Sequence, residues 1–309
     1  MNRIFLNIGM LLSALAVTVS CGSNETEQDV PVQPDKPDVE EKIQANVLTK
    51  AASAVVSTGV DVGMYMQHYV DGRMVDLYAA HNYVNNVRMK YAADGWKSAE
   101  PVYWYDESSH SDIYAYAPYQ SDVENCRNMT VGVPTDQTST EQLAAADLLW
   151  GRNLALTPTT SQISVSLHHL FAKVNVKITP EADFAEGELK ASDLKVFVNN
   201  VRCEGTLDLQ TGDVTLSGDP QTVCARNNGD LSFTAVVMPQ TLGFVNLIRV
   251  EWGDVVYVLQ RSIAFDSHRS YDLTVSINKK EATGLNIGIS GWDIDDKDYG
   301  GVVQLGIRN

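Results

Sequence analysis

The stretch SVSLHHLFAKVNVKI (residues 164–178) alternates apolar and polar side chains over most of its length. That period of two belongs to an extended chain with one face turned to a core. It recurs in KVFVNNV (195–201), GTLDLQTGDVTLSG (205–218), LSFTAVVMP (231–239), DVVYVLQRSIAF (254–265) and YDLTVSI (271–277). Strands of this length, separated by Gly, Asn and Asp clusters, predict an all-β sandwich protein with little helix. The best helical segment is STEQLAAADLLW (139–150), where Ser139 or Thr140 would cap one or two turns.

A second stretch, YWYDESSHSDIYAYAPY (103–119), packs Ser108, Ser109, His110 and two aspartates between aromatics. These are the ingredients of a nucleophilic triad, but a hydrolase built on Ser109 and His110 would need a strained turn such as GxSxG, and none surrounds either serine. The stretch reads instead as a hairpin, with PVYWYDE and DIYAYAPY as strands, SSHS as the polar connection and His110 in solvent. Trp104, Tyr105, Tyr114 and Tyr116 offer a sugar-stacking platform as a rival use, yet alternation turns about half of them inward, and core packing is the expected role. WDIDDKD (292–298) carries four aspartates but lacks the glycine and terminal glutamate of a calcium loop, so it reads as an acidic turn. His168 and His169, adjacent on a strand, face opposite ways and make poor joint ligands, one being buried and hydrogen-bonded and the other solvated. No metal or cofactor is expected.

The first residues, MNRIFLNIGMLLSALAVTVSC, hold one cation, Arg3, then an apolar run and a cysteine. This is the layout of an export signal over residues 1–20. TVSC resembles the lipobox of bacterial lipoproteins, which implies that Cys21 becomes the acylated first residue. The acidic, Pro-rich segment that follows completes a disordered tether over residues 21–42, since it has almost no apolar surface to offset its ordering entropy. Its SNETEQD resembles the surface-export signals of Bacteroidetes lipoproteins. The chain carries a formal charge of −16, and loss of residues 1–20 removes only Arg3, so a nucleic-acid partner is disfavoured. The remaining length suits two domains, 43–160 and 161–309, with a seam in the polar TPTTSQ (157–162). Three cysteines follow Cys21. Cys203 and Cys224 flank a hairpin that could bring them close enough to bond, and the odd count leaves at least one thiol free.

Several segments in order, VLTKA, IYAYAPY, DLLWG, LHHLFAKVNVKI, VVMPQ, SYDLTVSI and GISGWD, resemble the fimbrillin or Mfa-like lipoproteins of Bacteroides and its relatives. The resemblance implies two transthyretin-like (Greek-key) β-sandwich domains in tandem. It also implies a non-enzymatic subunit or adhesin of a type V pilus-like fimbria, carried to the outer membrane as a lipoprotein. Many members are cut by a trypsin-like protease after an arginine near the end of the first strand. The matching position here carries Lys50, followed by Ala51. IQANVLTK sets Ile43, Ala45 and Val47 on one face, as a strand covering a groove would, and its removal would open a sheet edge. GVVQLGIRN at the C-terminus sets Val303, Leu305 and Ile307 on one face, as a donor to a neighbouring subunit would. Expected partners are thus other fimbrial subunits by strand exchange and the outer membrane through the lipid anchor, with the surface ligand open. The alternative is a monomeric surface lipoprotein that binds glycans through the aromatics of the N-terminal domain.

Overall fold

The computed structural model describes residues 42–43, 45–49, 61–70, 72–77, 84–92, 95–99, 102–158 and 163–292. Among them the fold is almost entirely β. The first sheet runs Ala45–Thr49, Ile163–His169, Leu149–Leu156, Ser111–Ala117, Val62–Val70, Val84–Ala92 and Gly95–Ser98, with Arg73–Met74 folded back on Val62–Val70. All of its pairs are antiparallel except the first, where Ala45–Thr49 lies parallel to Ile163–His169.

Ser111–Ala117 lies mid-sheet and is buried at every position. Ile113, Ala115 and Ala117 enter one core with Met64, Met66 and Leu149, while Tyr114 and Tyr116 enter a second with Tyr65, Cys126 and Phe171. The strand is therefore a wall between two apolar layers, which explains a sequence almost without polar positions. Its one carboxylate, Asp112, is 4% exposed. The strand beside it bulges between Asn153 and Leu156, and the amide of Ala155 donates to Asp112 Oδ1 at 2.7 Å. The Tyr69 hydroxyl donates to Oδ2 at 3.3 Å. A bulge takes an amide out of the ladder, and here the buried side chain replaces the lost partner. Gly63 pairs with Tyr116. A Cβ on Gly63 would stand 2.3 Å from the Tyr116 ring, so glycine is what lets that ring cross the neighbouring strand.

The expected hairpin over 103–119 does not form. Val102–Tyr103 pairs with Lys42–Ile43 instead, and Ser111–Ala117 takes its partners from Val62–Val70 and Leu149–Leu156. Of the other expectations, Ser139 caps the helix Thr140–Ala146, with a capping box closed by Gln142, and GTLDLQTGDVTLSG forms the hairpin Glu204–Asp208 and Asp213–Ser217.

The second half packs a five-stranded sheet against a four-stranded one. The five-stranded order is Arg226–Gly229, Ser232–Val237, Ala172–Pro180, Arg269–Ile277 and Ala282–Gly291; the other is Gln221–Cys224, Leu194–Val201, Gln240–Trp252 and Val255–Phe265. Val174, Val176, Phe233 and Tyr271 from one meet Val196, Val250, Tyr257 and Leu259 from the other in one core. The strand after 157–162, Ile163–His169, stays with the first sheet, while Met129–Gly132 crosses over to pair with Glu204–Asp208. The turn of that hairpin docks on the first sheet. Trp150 Nε1 donates to Leu209 O at 2.7 Å, and Gly212, at φ +83°, leaves room for the Trp150 ring that a Cβ would meet at 2.9 Å.

Residues 134–137 tie the two sheets of the second half together. Cys224 N donates to Thr135 O at 2.7 Å and Gln137 N to Cys224 O at 3.0 Å. The Gln137 side chain, fully buried, then pairs with both backbone groups of Val236: Nε2 donates to its carbonyl at 2.8 Å and Oε1 accepts from its amide at 2.7 Å. One side-chain amide thus completes a ladder where no strand reaches. Tyr257 is the opposite case, a buried hydroxyl with no hydrogen-bond partner among the described residues. Because such a group costs free energy unmet, Tyr257→Phe is expected to leave stability unchanged or raise it by up to about 1 kcal/mol, read from the urea midpoint.

Candidate functional site

The edge of the first sheet is where assembly chemistry is expected. Among the described residues Ala45–Thr49 pairs on one side only, with Ala45 opposite Ile163, Val47 opposite Val165 and Thr49 opposite Leu167. Ile43 lies in the short preceding strand, opposite Val102. Under this edge Val165 and Leu167 are 2% and 0% exposed, in the core that also holds Met64 and Trp104. Parallel pairing is somewhat weaker per residue than antiparallel, and this is the one parallel pair of the sheet among the described residues. Cys21, Lys50 and Ala51 lie outside the described residues, as do Val303, Leu305 and Ile307.

The last described residue, Trp292, is held at the far end of the same strand. Its ring stacks on His169 with centroids 3.9 Å apart and planes 3° from parallel, and its amide donates to His268 O at 2.9 Å. His169 is buried as expected, its Nδ1 2.6 Å from Asp147 Oδ1. The other of the pair, His168, is half-buried rather than solvated, edge-on to the His268 ring. Ile163–His169 therefore has Ala45–Thr49 on its edge and Trp292, the last described residue, at its end. Sequence alone carries no sign of this convergence, because a parallel partner far along the chain leaves no local signature.

The polar centre of 103–119 is a turn built on one carboxylate. Asp106 accepts from the Ser108 amide at 2.7 Å and hydroxyl at 3.2 Å, and from both groups of Ser109. Burial pushes its pKa up, but the bonds from Ser109 and Ser108 outweigh this and hold it below the usual carboxylate range. His110 is exposed, with its ring near Tyr69, and no Ser–His hydrogen bond forms among the described residues. The aromatic platform is corrected by burial. Trp104, Tyr114 and Tyr116 are at most 2% exposed, and half-buried Tyr105 stacks on His68 at 3.8 Å, which leaves no open row of rings.

The pairing of Cys203 with Cys224 is also corrected, for both are free thiols, as is Cys126. The hairpin between them is real, but the chain leaves it after Ser217 for another sheet, where Cys224 stands opposite Phe197. Burial pushes the Cys126 and Cys203 thiols up to about 11 and that of Cys224 in the same direction, so all three stay protonated and weakly nucleophilic at neutral pH. Among the described residues no group of three His, Cys, Asp or Glu side chains is placed to hold a metal ion; residues 293–298 lie outside them.

Comparison with solved structures places the fold in known company. A proposed cell adhesion protein from Bacteroides uniformis aligns with a TM-score of 0.65 at 17% identity, covering 83% of this chain and 100% of its own. A second, from Bacteroides ovatus, gives 0.61 at 15% identity, covering 77% and 89%. A fimbrial protein from Bacteroides vulgatus gives 0.52 at 11% identity, covering 81% and 99%. At such identities the likeness is one of fold. No curated protein matches the chain. The family model described as fimbrillin-like matches residues 48–292, a span that begins inside the parallel edge strand and ends on the tryptophan stacked over His169, and the chain belongs to the fimbrillin-like family.

Proposed function

We propose that the chain is a non-enzymatic subunit or adhesin of a surface fimbria, exported as a lipoprotein through Cys21 and joined to other subunits by strand exchange. Membership of the fimbrillin-like family supports the fimbrial role and the place at the cell surface. The observation that carries strand exchange is the parallel edge strand Ala45–Thr49, paired on one side only among the described residues and ending immediately before Lys50. Cutting between Lys50 and Ala51 frees it. The backbone of residues 163–167 then presents unpaired groups and an apolar edge, which an incoming strand satisfies with main-chain bonds and side-chain pockets. Val303, Leu305 and Ile307 supply that strand from a neighbour. In this reading the receiving domain is 43–160 extended by Ile163–His169, and the remaining second domain delivers the donor.

The decisive measurement is the first residue of protein recovered from the cell surface. Ala51 is expected in polymer and Cys21 in precursor; polymer that still begins at Cys21 would end the cleavage proposal. Cys21→Ala tests the anchor separately. Without a thiol to acylate, the protein is expected to leave the membrane fraction or remain unprocessed. Persistence of the variant on membranes after a salt wash would sink the lipoprotein reading.

A further inference from the structure

The loop that follows Ser111–Ala117 borders a cavity of about 360 Å³. Tyr65 and Cys126 form its buried part, at 4% and 2% exposure, and Asn85, Asn86, Tyr119, Ser121, Val123 and Glu124 line the rest. The volume lies within the range of small-molecule sites, ~300–1,000 Å³. The lining is pre-set by contacts outside it. The Arg88 guanidinium sits over the Tyr119 ring, 5.2 Å from its centroid, and is itself paired with Asp61, whose carbonyl accepts from the Tyr119 amide at 2.8 Å. Behind the loop, the Tyr116 hydroxyl donates to Asn86 Oδ1 at 2.8 Å, and Asn86 Nδ2 donates to Gln120 O at 2.7 Å.

Within this frame Tyr65 stands out. Nearly all of its surface is buried, and it lines the cavity. Burial first, then the neighbouring Tyr116, Cys126 and Tyr119 groups, push its pKa far above the usual phenol range. It is therefore an O–H donor at any physiological pH. The cavity thus offers an aromatic ring, a neutral donor, an amide, a hydroxyl and a carboxylate acceptor. A pyranose has the matching chemistry, with an apolar C–H face for the ring and hydroxyls that both donate and accept. Glu124 beside the site and the net charge of −16 oppose an anionic sugar.

We propose that this cavity binds a neutral hexopyranose unit, with Tyr119 as the stacking wall and the Tyr65 hydroxyl as a hydrogen-bond donor. The site uses Tyr119, at the end of 103–119, and not Trp104, Tyr105, Tyr114 and Tyr116, which packing removes, and it does not rest on strand exchange. The test titrates the full chain, as monomer, with methyl glycosides of galactose, glucose and N-acetylglucosamine by saturation-transfer NMR, with N-acetylneuraminic acid as the anionic comparison. At least one neutral glycoside is expected to saturate and the acid not to bind. Tyr119→Ala is expected to abolish the signal, and Tyr65→Phe, which keeps the ring and removes only the hydroxyl, to weaken binding about tenfold. If Tyr119→Ala fails to fold, Tyr65→Phe decides. Failure of every neutral glycoside to saturate, or wild-type affinity in Tyr65→Phe, overturns the proposal. Because the readout is on monomer, that failure would leave fimbrial assembly untouched.

Discussion

Replacing Leu305 by Asp is expected to give subunits that are exported and cut but do not polymerise, while Gln304→Asp, one position away on the opposite face, assembles at close to the wild-type yield. The contrast follows from the alternation of GVVQLGIRN. If Val303, Leu305 and Ile307 enter the groove left by Ala45–Thr49, an aspartate at 305 is buried without a partner, as a charge or as a forced acid. A penalty of about 4 kcal/mol lowers affinity on the order of a thousandfold. Two companions locate the step. Lys50→Ala should stop maturation before the groove opens, and deletion of 301–309 should permit cutting and halt elongation. Ladders on unboiled gels report all four. Equal polymer from the Leu305 and Gln304 variants would show that the strand is not read by face, and assembly through it would have to be abandoned.

Gln137→Ala is expected to cost about 3 kcal/mol, since it strands a buried amide and a buried carbonyl at about 1–3 kcal/mol each, with partial relief by relaxation. The amide and carbonyl are those of Val236, and no other described group bonds them from that side. Gln137→Met, which restores the volume and not the bonds, should be almost as harmful. That separates lost pairing from a lost contact. Chemical denaturation reads both, and a loss below about 0.5 kcal/mol in either, the scale of an ordinary surface change, would mean that water takes over the role of the side chain.

The strands of the second half were legible because each pays its own way locally in alternation: KVFVNNV, LSFTAVVMP and YDLTVSI all lie in strands, and Gly, Asn and Asp mark their ends. The helix was legible through its candidate caps, Ser139 and Thr140, of which the structure uses Ser139. What escaped was pairing at a distance. PVYWYDE looks like half of a hairpin, and only Lys42–Ile43, far upstream, shows that its partner is elsewhere. The burial of Asp112 on Ser111–Ala117 had no local sign; the amide of Ala155, freed by a bulge, is what makes it tolerable. The cysteines misled for the same reason, since nearness to one hairpin says nothing about which sheet the chain enters next. Of the assembly edge, the sequence offered the apolar face of Ile43, Ala45 and Val47 but not its neighbour. The cavity beside Tyr119 had no linear signature, because Tyr65, Asn85 and Ser121 come together only through the sheet.

The tie between residues 134–137 and the second half also bears on when the molecule can close. Gln137 and Val236 are 99 residues apart, so a nascent chain that has emerged through Gln137 still lacks the strand its amide completes. Contacts of such long sequence separation form late and slow the final collapse. If the chain is exported as proposed, lateness is an advantage: the translocating thread would stay extended until its distal half has arrived, and the lock would engage afterwards.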